Sequence, residues 1–343
     1  MIRHTIKWEN SMPNTIWLTV LIVLFVVLVW SGVRARHIGN RAARITSMLV
    51  LAVASVCALS SSVLAIAGMI KATSRSAPVP HLRITGTREQ IVRGEALADS
   101  FCGACHSKLA PLTGGMDVGK ELTVPVGSFV SSNLTPAGML SHWTDGEIFR
   151  AIRNSVDADG NWLTIMSYTN SSRLSDADIE SLIAYIRSRP VAGAQTPNPP
   201  DHFNLLGLVM LGAGMLPSGS PVFTGVISAP HKSPTAQYGE YILSYQDCRA
   251  CHGPELTGGV PGQIAPLGPG LQLVKDWKLQ EFIATLRTGT DPTGRHLSEL
   301  MPWRVLGRMD DEELTAVYEY LTRSFRNTRM TPGRTIANGR NLK

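Results

Sequence analysis

Four of the five cysteines in this 343-residue chain stand in two short runs, CGACH at 102–106 and CRACH at 248–252. Each run sets two thiols three residues apart with an imidazole directly behind the second. Each is followed by Leu-Thr-Gly-Gly, at 112–115 and at 256–259. A structural zinc site needs four nitrogen or sulfur ligands. The two pairs would have to find each other across the chain and would leave both histidines idle. A dithiol redox pair needs neither the histidine nor a second copy. Cys-x-x-Cys-His is the attachment sequence of c-type haem. Within one helical turn the two sulfurs reach the vinyl positions of the porphyrin edge, and the next imidazole turns onto the iron. The pattern therefore points to two covalently bound haem c groups, at Cys102/Cys105 and Cys248/Cys251, with His106 and His252 facing the irons. Cys57 lies apart in an apolar run, so the cysteines do not form the dispersed, even set of a disulfide framework.

A haem iron held on one face needs a second axial ligand, and a His/Met pair raises its potential. Met166, in NWLTIMSY, follows His106 by sixty residues, and Met301, in LSELMPW, follows His252 by forty-nine. Twelve methionines make placement alone weak evidence; register is stronger. With Met166 set on Met301, RLSDADIESLIAYI (173–186) falls without a gap on RMDDEELTAVYEYL (308–321). Both read as helices, with a capping residue, an acidic first turn and apolar positions three and four apart. Upstream, WTDGEIFRAIRNSVDADGNWL (143–163) matches WKLQEFIATLRTGTDPTGRHL (277–297) with one residue of slack. GEALADSF and GEYILSYQD lead into the two attachment runs. The order helix, attachment turn, loop, helix, Met loop, helix is thus written twice, an all-α duplication.

On these residues the chain resembles the class I cytochrome c fold, and more closely the dihaem cytochrome c subunits of membrane-bound bacterial alcohol, gluconate and aldehyde dehydrogenases. The resemblance covers about residues 86–326. It is carried by SSNLTP (131–136), HWTDGEIFRAIR (142–153), LSDADIESLIAYIRS (174–188), YGEYILSYQDCRACHG (238–253) and MPW (301–303). It implies His106 and His252 as proximal and Met166 and Met301 as distal ligands. One departure concerns Met166, which is followed by Ser167 where such families have proline. His142 and His296, the other histidines inside the repeats, do not recur in register and read as surface or pocket-edge residues. Trp143 and Trp277 read as core or haem-wall packing.

The elements that carry these domains begin in two apolar stretches, Ile16–Val33 and Ile45–Ile70, both uncharged. A bilayer core of ~30 Å needs ~20 apolar residues, so both can span. Between them RARHIGNRAAR holds Arg34, Arg36, Arg41 and Arg44, a density that suits the cytoplasmic side. The first stretch lacks the small-residue cleavage site of a signal peptide. A two-helix transmembrane hairpin with both ends outside is expected. The formal charge of +6 is concentrated here: residues 1–76 carry eight Lys/Arg and one acidic residue, the rest 24 against 25. A nucleic-acid partner is not expected.

The expected organisation is an anchor at 1–76, a first cytochrome c domain at 77–190, a Pro/Gly/Ser-rich linker at 191–235, a second domain at 236–327 and a basic tail at 328–343. The apolar run Phe203–Leu216 in the linker is too short to span comfortably. It reads as a helix packed on the haem domains in preference to one resting on the membrane face. With both irons closed by protein ligands neither holds substrate, which argues for electron transfer and not catalysis. The expected role is a subunit of a membrane complex in the bacterial inner membrane, haem domains on the periplasmic side, passing electrons from a dehydrogenase or respiratory complex to an acceptor. The alternatives are the dihaem anchored subunit of a cbb3-type oxidase, whose haem motifs match less well, and a dihaem peroxidase with an open iron. No histidine lies within either span, so a b-haem in the anchor is not expected.

Overall fold

The computed structural model describes residues 12–107, 110–263 and 265–327; the basic tail at 328–343 lies outside them. In chain order the helices are α1 (Met12–Ala35), α2 (Arg41–Ser74), α3 (Arg88–Leu97), α4 (Gly103–His106), α5 (Asp145–Asn154), α6 (Thr164–Tyr168) and α7 (Asp176–Ser188). They continue with α8 (Leu205–Gly212), α9 (Ala236–Tyr245), α10 (Cys248–His252), α11 (Leu279–Thr288), α12 (Trp303–Leu306) and α13 (Asp311–Asn327). The all-α reading holds. Among the described residues the only strands are β1 (Gly127–Phe129) and β2 (Asp201–Phe203), an antiparallel pair in which Ser128 faces His202. The packing forms two compact units. The first draws its described residues from Met1–Arg83, Lys108–Tyr168 and Pro190–Thr224, the second from Ile84–Ser107, Thr169–Arg189 and Gly225–Lys343.

In the first unit α1 and α2 form the expected helical hairpin, both long and apolar enough to cross a membrane. Asn40 caps α2, its side-chain oxygen accepting from the Ala43 N–H at 3.1 Å. The α1 surface is open along its length, with Trp17 and Trp30 both 57% exposed. On α2 the buried positions are all small: Ser55, Ala58, Ser62, Ala65 and Gly68. The C-terminal half of this stripe receives α8. The close approach is mutual, for a Cβ on Gly68 would overlap the Leu208 carbonyl, and one on Gly212 the Leu64 carbonyl. Lys71 completes the joint, its ammonium donating at 3.1 Å to the carbonyls of Leu211 and Gly212. A cation there suits the negative end of α8. The linker helix thus seats chiefly on α2, within the expected anchor, and not on the haem domains as expected, because Gly68 and Gly212 let the two backbones meet. Below it a core of Ala65, Val126, Phe129, Trp162, Phe203, Leu208 and Leu211 joins α2 and α8 to the β1–β2 ribbon.

The second unit is built on two helix crossings of one design. α3 meets α7 where a Cβ on Gly94 would overlap the Ser181 carbonyl, and α9 meets α13 where one on Gly239 would overlap the Ala316 carbonyl. Only glycine allows backbones this close. Arg93 ties the two crossings together. Its Nε and Nη2 donate to Asp178 on α7 at 2.7 and 3.1 Å, and its Nη1 donates to Glu313 on α13 at 2.5 Å. Tyr241 on α9 donates its hydroxyl to Asp178 and accepts from the Ser175 N–H at 2.8 Å. Both carboxylates are buried. Their charge is met by one guanidinium whose planar fork suits two acceptors.

Candidate functional site

The two attachment runs are short helical turns. Cys102 closes a π turn (Ala98–Cys102), with Cys105 and His106 on α4; Cys248, Cys251 and His252 lie together on α10. A helical turn sets residues three apart on one side, so each thiol pair shares a face. None of the four is paired in a disulfide. Burial pushes Cys102 and Cys248 up to about 12, and Cys105 and Cys251 in the same direction. Before attachment, burial would thus favour the neutral thiol, and all four side chains are half-buried. Among the described residues no three His, Cys, Asp or Glu side chains gather as a metal cage requires, so the two pairs do not converge on one ion.

His252 is buried, and its Nδ1 lies 2.6 Å from the Pro269 carbonyl. A carbonyl only accepts, so Nδ1 carries the proton and Nε2 keeps its lone pair, the form an iron-ligating imidazole needs. Gly268 makes room for the ring: a Cβ there would stand 2.8 Å from Nδ1. The leucines that open the downstream tetrapeptides also repeat in backbone. Leu112 and Leu256, both buried, are left-handed at φ 59° and 58°. Such a conformation costs a leucine about 1 kcal/mol or more. In the second copy the turn is closed by Gly258 N–H on the His252 carbonyl at 2.9 Å. A polar, strained loop wrapped behind an oriented imidazole fits one edge of a covalently held haem.

The segments leading to the two methionines are also duplicates. α5 and α11 each run ten residues and end on a left-handed residue, Ser155 (φ 55°) and Gly289 (φ 69°). From each a hairpin folds back. Leu163 N–H bonds the Ser155 carbonyl at 2.8 Å, and Leu297 N–H bonds the Gly289 carbonyl at 2.7 Å. Within the hairpins Asp157 and Asp291 accept from the backbone of Asn161 and Arg295. The register is unbroken to Leu163 and Leu297, so the residue of slack falls between there and the methionines. Its cause is local. Met166 sits inside α6, where the Ser167 N–H donates to the Leu163 carbonyl at 3.0 Å. Proline has no such N–H. In the second copy Pro302 follows Met301 and opens α12. Ser167 for proline is thus the residue a continuing helix needs. Both methionines are half-buried.

Cys102, Cys105, His106, Cys248, Cys251, His252 and Met301 lie in the second unit, Met166 in the first. His142 is exposed; His296 is exposed and pairs with the Thr290 hydroxyl at 3.0 Å. Trp143 and Trp277 are half-buried. Sequence reading did not reach Pro269, whose only signal was its place in the GPG run behind CRACH. Nor did it reach the contact between the two attachment turns. Gln246 donates its side-chain N–H to the Ser100 carbonyl at 3.1 Å, and the Phe101 and Tyr245 rings meet edge-to-face at 5.9 Å. Asp247 accepts from the Asn170 backbone N–H and side-chain Nδ2 at 3.1 and 2.7 Å. Burial holds the Asp247 carboxyl up to about 6.

Comparison with known proteins agrees with this duplication. Residues 89–186 match the family model for cytochrome c oxidase, cbb3-type, subunit III, and residues 236–324 match the model for cytochrome c. The chain is a dihaem c-type cytochrome. It carries two covalently bound haem c groups, whose iron takes up and releases one electron. This cytochrome resembles the cytochrome subunits of dehydrogenases. It is 27% identical to a fructose dehydrogenase cytochrome subunit of Gluconobacter japonicus, over 81% of this chain and 60% of that one. It is 30% identical to the cytochrome c subunit of an alcohol dehydrogenase (quinone) of Gluconobacter oxydans, over 59% and 43%. It is 32% identical to the corresponding alcohol dehydrogenase (quinone) cytochrome c subunit of Gluconacetobacter polyoxogenes, over 45% and 33%. The matches thus span at most 60% of the length of these relatives.

Proposed function

We propose that this dihaem cytochrome is the electron-transfer subunit of a membrane-bound dehydrogenase complex. In this reading Cys102/Cys105 and Cys248/Cys251 bind the haem groups. His106 and His252 take the proximal and Met166 and Met301 the distal positions. The anchor occupies 1–76, the haem domains 77–190 and 236–327, with the linker at 191–235 and the basic tail at 328–343. The carrying observation is the doubled Cys-x-x-Cys-His turn, each copy inside a segment that matches a cytochrome model. His252 supports it further through a proton fixed on Nδ1 by Pro269.

The protein's work is to orient imidazoles and thioethers, to exclude water from the iron and to present a docking surface. A low-dielectric wall and a methionine sulfur favour the reduced iron and raise its potential. The lipid-like surface of α1 and the small-residue face of α2 suit a hairpin in a bilayer. The four arginines between the spans favour a cytoplasmic turn, which sets the haem domains on the periplasmic face of a bacterial inner membrane. The dehydrogenase relatives supply the donor class. The cbb3 model matched by the first copy supplies the second reading, a terminal-oxidase subunit.

The test is the haem retained by the denatured full-length chain. Two per chain are expected, and one after Cys102→Ala/Cys105→Ala or after Cys248→Ala/Cys251→Ala. No covalent haem, or one in the wild type, overturns the reading. Purification in mild detergent then separates the two complexes: a co-purifying dehydrogenase supports the first, a terminal oxidase the second.

A further inference from the structure

We infer that the contact between the two attachment turns holds the two haem groups as one magnetically coupled pair, with Arg93 and Gln246 as positioning residues. This rests on the reading that both turns carry haem. A thioether-bound haem is a rigid extension of its turn, so turns that touch bring their haem groups together. The turns do touch, through the Gln246–Ser100 hydrogen bond and the Phe101–Tyr245 ring edge.

The contact is also reciprocal. Asn170, just past the first Met helix, holds Asp247 at the entry to the second turn. In return α12, just past Met301, packs on the π turn Ala98–Cys102 that enters the first. Behind the turns, Arg93 on α3 joins Asp178 on α7 to Glu313 on α13, and Tyr241 on α9 donates to the same Asp178. Two independent electron carriers would need no such registration.

The experiment is power saturation of the ferric haem signals by electron paramagnetic resonance on the full-length, haem-loaded protein, fully oxidised and half reduced. A ferrous low-spin partner is diamagnetic and no longer relaxes its neighbour. The expected result is that the remaining ferric signal saturates at severalfold lower power in the half-reduced sample. Arg93→Gln and Gln246→Ala should keep two haem groups per chain and lose that difference. Should Arg93→Gln fail to retain haem, Gln246→Ala, which removes one hydrogen bond, gives the same comparison. Identical saturation in the two wild-type samples overturns the inference, and unchanged coupling in the variants overturns the positioning roles. Covalent haem content, read separately, tests the attachment reading on its own.

Discussion

At the residue scale the second site owes its chemistry to a proton. With Nδ1 held by Pro269, His252 would present one tautomer to an iron, and Gly268 leaves the ring room that a Cβ would take. Gly268→Ala should tilt the imidazole and shift the absorption and potential of one haem, leaving the other unchanged in a spectroscopic redox titration. The methionines are told apart the same way. Met166→Ala and Met301→Ala should each lower one midpoint only, by a tenth or more of the ~0.8 V that axial ligands span. Asp201 gives a pH dependence. Burial holds its carboxyl up to about 6, opposed by hydrogen bonds from Thr164. An ordinary aspartate titrates near ~3.9. The folded chain therefore holds this proton more tightly than the unfolded chain. Its stabilising effect is full below the ordinary value and is lost as pH rises through about 6. The ceiling is about 3 kcal/mol at 1.36 per unit. Thermal melts at about pH 4 and pH 7 should diverge for the wild type and converge for Asp201→Asn.

At the element scale the helix crossings depend on close backbone contact at glycine. Gly94 and Gly239 admit a carbonyl of the crossing helix where any Cβ would stand. Gly94→Ala or Gly239→Ala should cost about 1–3 kcal/mol, measured as a lowered denaturation midpoint with haem present. Arg93 works differently. Its loss would leave Asp178 and Glu313 buried without a cation, about 3–5 kcal/mol for breaking a buried pair. Arg93→Gln should therefore destabilise more than either glycine change in the same denaturation series. The crossings were legible in part: the apolar spacing of 174–186 and 309–321 marks them as helices with one buried face. The clamp was not, because Arg93, Asp178 and Glu313 each read alone as surface charges on an amphipathic helix.

For the whole molecule, the expected behaviour is that of an integral membrane protein. High salt and alkaline washing should leave the chain in the membrane fraction, and detergent should release it; release by salt alone would sink the anchor. The linker shows how far sequence reaches here. Its apolar run was visible as a short helix, but its seat on α2 depends on Gly68, Gly212 and Lys71 meeting across some 140 residues.

Local chemistry is written in local sequence. The haem count, the attachment cysteines, the repeated order of helices and the apolar spans follow from residue types at fixed short spacing, because helical turns fix which groups share a face. The pairing of turn with turn, the proton on His252 and the arginine between two buried carboxylates belong to the tertiary structure alone. Those contacts join residues 17 to 220 positions apart, and no periodicity records which distant surfaces will meet.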